Sequence, residues 1–215
     1  MSPLYSTAFV DINPIQTEPP ASDEENITCY PRHSANVVES LNILRQKLPS
    51  ELVLGILEFA EYWVSSVISR EESVGYSPRD CHDPTPYLTS EPIQGEGFPV
   101  RKIRINIWSC DVGWSSHSED HGTTRNSWTW FDLGIERPPG RDDICEGENL
   151  HLMTNLLAAR EITHHRIMYH RNQNLRWMQN LQPGDRISIV PMARFRGSRN
   201  TVKKASIEVY TSPLL

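Results

Sequence analysis

An antiparallel β-sandwich preceded by a short helical hairpin, an α+β chain that is mainly β, is the fold class this sequence predicts. Two observations predict it. Apolar residues alternate in three separate stretches: Ile103, Ile105 and Ile107; then Phe131, Leu133 and Ile135; then Ala205, Ile207 and Val209. Period-two alternation is what a strand with one buried face requires. Upstream, Val37, Val38, Leu41, Leu44 and Leu48 recur every three or four residues, the spacing of an amphipathic helix. Short strands separated by turns read as a sandwich, with its first and last strands near each other.

The length, 215 residues, suits one folded domain with appendages. A net charge of −6 supplies no general basic surface for phosphate, so nucleic acid is not an expected partner; Arg194 to Lys204 is a local exception. The first residues lack a basic region followed by an apolar core, and no apolar run reaches membrane-spanning length. An intracellular chain, cytoplasmic or nuclear, is therefore expected. Cys29, Cys81, Cys110 and Cys145 are scattered without a C-x-x-C pair. They read as reduced thiols inside a cell, or as two disulfides in a secreted protein.

In chain order, residues 1–33 carry five prolines and the run Asp23-Glu-Glu25, and are expected to be a disordered tail. Residues 34–70 form the helical hairpin. Its first helix ends at the Leu48-Pro49 step, Ser50 offers an N-cap, and Leu52, Val53, Ile56, Leu57, Ala60, Trp63 and Val64 give the second helix a broad apolar face. The expected packing residues are Leu41, Leu44, Leu52, Ile56 and Leu57. Residues 71–97 are polar and broken by prolines, hence a linker or long loop, and residues 98–212 form the sandwich. Within it, Pro183-Gly184 suits a tight turn, and Pro191 argues for an edge strand or a bulge.

Four of the six tryptophans fall between Phe98 and Ile135. The polar segment from Cys110 to Asn126 is too long for a tight hairpin, so it reads as a large ordered loop on the rim of a sheet. Trp128 and Trp130 are out of phase with Phe131, Leu133 and Ile135, so they project from the opposite face. Trp114 is expected to fold back over at least one of them.

Two resemblances add to this reading. Leu48-Pro-Ser-Glu-Leu-Val-Leu-Gly-Ile-Leu57 resembles the opening of an F-box, a helical module whose family docks on the Skp adaptor of cullin ubiquitin ligases. It implies a Skp-type partner held through Leu48, Pro49, Leu52, Ile56 and Leu57. The same pattern also fits a helical hairpin packed on its own domain. The second resemblance covers residues 98–212, through Cys110-Asp-Val-Gly-Trp114, Gly122-Thr, Ser127-Trp-Thr-Trp-Phe131, Leu181-Gln-Pro-Gly-Asp185, Ala193-Arg-Phe-Arg-Gly197 and Ala205-Ser-Ile-Glu-Val-Tyr210. These pieces resemble a domain of poorly characterised filamentous-fungal proteins, some of which also carry the F-box-like run. The resemblance implies a jelly-roll or galactose-binding-like sandwich without an established reaction. It also favours a strand for Leu150 to Ile162, where apolar spacing alone fits helix or strand.

For chemistry, Trp114, Trp128 and Trp130 could form a stacking platform for a glycan or small ligand, with Asp111 or Asp132 accepting hydroxyl hydrogen bonds; the alternative is ordinary packing of the indoles. Asp111, His117, Asp120, His121 and Asp132 match no closed metal-ligand spacing, so no metal or other cofactor is expected. His164, His165 and His170 lack a nucleophile motif. The expectation is a non-enzymatic interaction protein with a β-sandwich recognition domain, with a carbohydrate- or small-ligand-binding module as the alternative.

Overall fold

The computed structural model describes residue 31 and residues 33–113, 115–141, 149–173 and 176–212. Residues 1–30 and 32 of the expected tail, which include Cys29, lie outside the described residues, as do Cys145 and Trp114. Helices α1 (Ser34–Arg45) and α2 (Ser50–Phe59) precede the strands β1 (Val64–Tyr76), β2 (Leu88–Thr89), β3 (Val100–Asp111), β4 (Thr129–Glu136), β5 (Leu150–Thr154) and β6 (Thr163–His170). A short helix α3 (Arg176–Gln179) then leads to β7 (Arg186–Ala193) and β8 (Asn200–Thr211).

Two four-stranded antiparallel sheets result, ordered β1-β8-β3-β6 and β2-β7-β4-β5. The chain passes back and forth between the sheets in the winding of an eight-stranded jelly roll. The alternating stretches supply the facing surfaces: Ile103, Ile105, Ile107 and Ile207 from the first sheet, and Phe131, Leu133, Ile187 and Ile189 from the second, are fully buried. Each such side chain contributes roughly 1.5–3 kcal/mol by leaving water. Trp177 and Met178 of α3 join the same core.

The winding gives the sandwich two poles. Val64, Val100 and Thr211 lie together at one end, where Thr211 is the register partner of both other residues. The opposite end holds Tyr76, Asp111 and Asn200, again in register. There the four connections β1–β2, β3–β4, β5–β6 and β7–β8 emerge side by side.

The helices sit at the first pole. Leu41, Val53 and Leu57 form a small core of their own, with Leu44, Leu48 and Tyr62 packed against it. Polar contacts join this hairpin to the sandwich. Glu58 pairs with Arg101 at 3.0 Å and also accepts the Trp63 indole N–H, while Glu61 pairs with the buried Lys102 at 2.7 Å. A cleft of about 350 Å³ remains between α2 and the sandwich, bordered by Leu54, Gly55, Trp63 and Arg101.

Four expectations need correction here. Residues 64–76 are strand rather than the end of a helix and the start of a linker, so the sandwich begins at Val64 rather than residue 98. The helix ends because Glu61 takes a left-handed φ of 50°, and the Tyr62 N–H turns back to the Leu57 carbonyl. The rest of the expected linker is bonded to β7: the N–H groups of Tyr87, Ser90 and Ile93 donate to the carbonyls of Ile189, Ile187 and Asp185. In the hairpin, Ser50 is the first residue of α2 instead of its cap, and Leu52 and Ile56 point outward; the packed face carries Val53 and Leu57. Finally, Pro191 belongs to β7, an interior strand without a register shift against β4, rather than to an edge strand or a bulge; it fits there because β2 pairs only with Ser188 and Ile189, which leaves the other side of Pro191 without a ladder partner.

Candidate functional site

The sequence points to a candidate site around the β3–β4 connection, and the four-connection pole is where that segment lies. The sheets meet there through a buried polar network instead of apolar packing. Ser109 Oγ donates to Asn155 Oδ1 at 2.7 Å, and Asn155 Nδ2 donates to Thr129 Oγ1 at 3.1 Å and to Asn200 Oδ1 at 3.0 Å. Asn200 Nδ2 in turn donates to the carbonyls of Trp130 and Met192. All four side chains are buried. One asparagine after β5 thus holds β3 and β8 of one sheet to β4 of the other.

Asp111 closes β3 beside this network. Its Oδ1 accepts the Gly113 N–H at 2.8 Å and its Oδ2 accepts the Ala158 N–H at 3.4 Å. The first contact is the turn that Asp111 before Gly113 suggests. A Cβ at position 113 would come within 2.8 Å of that oxygen, so the approach depends on glycine. Burial raises the Asp111 carboxyl above the usual range, and the two backbone donors pull the other way. Its environment is that of a structural acid.

The remaining expected ligand residues, Trp128, Trp130 and Asp132, sit elsewhere at this end of the molecule. Since Phe131 and Leu133 face the core, Trp130 and Asp132 face outward from the second sheet, and Asp132 lies 3.5 Å from His151. Trp128 is 40 % exposed and meets Phe195 edge to face, with ring centroids 4.4 Å apart. Among the described residues, Trp128 therefore has an aromatic partner in the β7–β8 turn; Trp114, expected in that role, is outside the described residues. An edge-to-face pair this exposed contributes little to stability. Trp128→Ala is expected to lower it by about 1 kcal/mol in urea unfolding. A loss of about 3 kcal/mol or more would mean that the indole is a core residue.

His117, Glu119 and Asp120 bring possible ligand atoms within 4.8 Å of one another in the β3–β4 connection. The Asp120 carboxylate is already engaged, by Arg125 at 2.7 Å and by Asn126 Nδ2 at 2.7 Å. Asp111 and Asp132 belong to other surroundings. The histidines of β6 also separate: His164 stacks on Trp108 with centroids 4.1 Å apart, whereas His165 stands opposite Ile107 on the inward face. Both thiols that the structure describes are poor nucleophiles, because burial pushes Cys81 and Cys110 up.

A second candidate surface is at the helical pole. Leu52, Ile56 and Phe59 are 57 %, 44 % and 94 % exposed. They follow one another at i, i+4 and i+7, which places them on one face of α2. Pro49 is also exposed, Leu48 is half-buried, and Leu57 is buried inside the hairpin. Phe59 was not singled out by the sequence reading, although its spacing from Leu52 and Ile56 is visible there. No helix among the described residues is long and apolar enough to cross a membrane. Comparison with models of known protein families and with curated proteins finds no match.

Proposed function

We propose that this chain is a non-enzymatic interaction protein in which α2 docks a protein partner and the jelly roll carries a recognition surface of its own. The supporting observation is the row Leu52, Ile56 and Phe59. A soluble surface seldom keeps three large apolar side chains in one stripe unless a partner covers them. An amphipathic element laid along this stripe would bury them in the manner of helix-in-groove recognition. The partner class is a Skp-type adaptor, for which the F-box-like run around Pro49 is the ground. Leu48 and Leu57 then hold the hairpin together, and Leu52, Ile56 and Phe59 make the contact.

Capture of a recombinant Skp-type adaptor by the full-length chain tests this reading. Native protein should retain the adaptor, and Leu52→Asp with Phe59→Asp should abolish retention while leaving the melting temperature within about 2 °C, since both side chains are exposed. Equal retention by the native and substituted chains, or none by either, would reject the adaptor. A second reading is supported by Trp130 and Asp132, which share the outward face of β4 beside Trp128: a small-ligand or glycan platform. Binding on a glycan array that is lost in Trp130→Ala would favour it.

A further inference from the structure

The strand β7, the turn after it and β8 carry a charge pattern unlike the rest of the chain. From Arg186 to Ile207 there are six cationic residues and no Asp or Glu, in a chain whose net charge is −6. Most of these cations collect at the four-connection pole. Among the described residues, no carboxylate lies within ion-pair distance of Arg194, Arg196 or Lys203, and all three are exposed. Lys204 pairs with Glu71, and Arg199 lies across Gly75, where a Cβ would come within 2.3 Å of its guanidinium. Arg199 also acts electrostatically on Asp80. The unpaired charge is therefore concentrated in Arg194, Arg196 and Lys203.

The turn that presents Arg194 and Arg196 is preformed. Both the Ser198 N–H and its hydroxyl donate to the Phe195 carbonyl, at 3.0 and 2.7 Å. Gly197 takes a φ of +96°, a conformation glycine supplies without strain. The Arg194 N–H donates to the Trp128 carbonyl, which anchors the start of the turn. Phe195, 49 % exposed, is braced by Trp128 while the Arg194 guanidinium lies 5.7 Å from its ring centroid. Cations and exposed rings thus alternate on a hydrogen-bonded turn.

We infer that the β7–β8 turn, with Trp128, is a docking surface for an acidic peptide segment that also carries aromatic or apolar side chains. Carboxylates would pair with Arg194 and Arg196, and the interleaved side chains would pack on Phe195 and Trp128. Few cations are available and the molecule as a whole is negative, so a short acidic segment is better matched than a polyphosphate, whose binding needs a broad basic surface. The run Asp23-Glu-Glu25 of this chain is too close to its anchor to supply the segment, and the proposed occupant is a peptide of another molecule. This chain's own Asp23-Glu-Glu25 run lies six to eight residues before Pro31, which is bonded to Ser65 at the helical pole. Fully extended, that stretch reaches roughly 20–28 Å. Strand β1 alone separates Ser65 from Tyr76 by roughly 36 Å.

The inference deepens the interaction reading, since it gives the sandwich its own ligand class. Its test uses the full chain and a fluorescein-labelled synthetic peptide of alternating Glu and Tyr, followed by fluorescence anisotropy at low salt. The expected result is saturable binding that weakens about tenfold or more in Arg194→Glu with Arg196→Glu and falls as salt is added. Phe195→Ala should weaken binding with its salt dependence kept, and an all-Glu peptide should bind less well. Arg196→Gln at the turn tip replaces the double reversal if that variant melts early. No binding by the native chain, or equal binding by the charge variants, overturns the inference. So does tighter binding of an oligo-dT strand than of the peptide. The α2 variant Leu52→Asp with Phe59→Asp should bind the peptide as native protein does, so adaptor docking and peptide docking fail separately.

Discussion

Replacing Asn155 by alanine should lower stability by about 3–4 kcal/mol, more than its size alone suggests. The side chain is buried and its amide serves three others: it accepts from Ser109 and donates to Thr129 and Asn200. Removing it leaves the Ser109 hydroxyl and the Asn200 carbonyl oxygen without those partners in a site closed to water. A buried polar group without a partner typically costs about 1–3 kcal/mol, and here more than one is created. Ser109→Ala, which orphans Asn155 Oδ1 but leaves Asn155 bonded to Thr129 and Asn200, should cost about 1–2 kcal/mol. Urea denaturation with an unchanged m value is the measurement. If the two variants lose the same amount, the network is not a cooperative joint between the sheets.

The second large effect is a loss of stability on acidification, governed by His165. Burial pushes its imidazole down to about 4, with the neighbouring His164 adding a like charge. Its Nε2 is enclosed without a hydrogen-bond partner. Because the folded value is below the unfolded one, near 6.5, the unfolded chain takes up the proton first. Stability is therefore highest above about pH 6.5 and is lost as pH falls through about 4. The difference corresponds to about 3 kcal/mol. Asp111 acts in the opposite sense: its raised folded value means that protonation, just above the ordinary Asp range, favours the folded state and offsets part of the loss. His170, also lowered by burial, adds to the loss. His165→Leu should flatten most of the slope between pH 6.5 and 4 in chemical denaturation without destabilising the protein at pH 7. An unchanged slope would mean that another group controls the acid limb.

What the sequence revealed, and what it hid, follows from how much each element buries. Strands β3, β4 and β8 each bury one face, so Ile103 to Ile107, Phe131 to Ile135 and Ala205 to Val209 alternate visibly. Strand β1 is a sheet edge whose residues are mostly exposed or half-buried, and its register shifts between Glu71 and Val74. With little to bury and the phase broken, Arg70-Glu-Glu-Ser73 looks like a linker. Helix α2 fails for the opposite reason. Leu52, Val53, Leu54, Ile56, Leu57 and Phe59 are apolar nearly all round, so composition could not say whether Leu52 and Ile56 or Val53 and Leu57 face inward. For the candidate site, the facing of the strand residues was legible. Trp128, Trp130 and Asp132 are on the outward face or beside it, as their phase requires. That Phe195 would meet Trp128, or that Asn155 would join the sheets, depends on contacts 67 and 46 positions apart in the chain. No local pattern records such a pairing.

The position of β8 has a consequence for biosynthesis. This strand is the latest along the chain, yet it lies between β1 and β3, joined to both along most of their lengths. While the protein is being made, β1 and β3 have no direct pairing with each other, and the first sheet cannot close until residues 200–211 have left the ribosome. Until then the nascent chain presents two unsatisfied strand edges together with the apolar row Ile103, Ile105 and Ile107. Such edges are templates for pairing with other chains. Folding of this half of the sandwich therefore waits for residues 200–211, and a polypeptide terminated ahead of Asn200 lacks the strand that would hold its first sheet together.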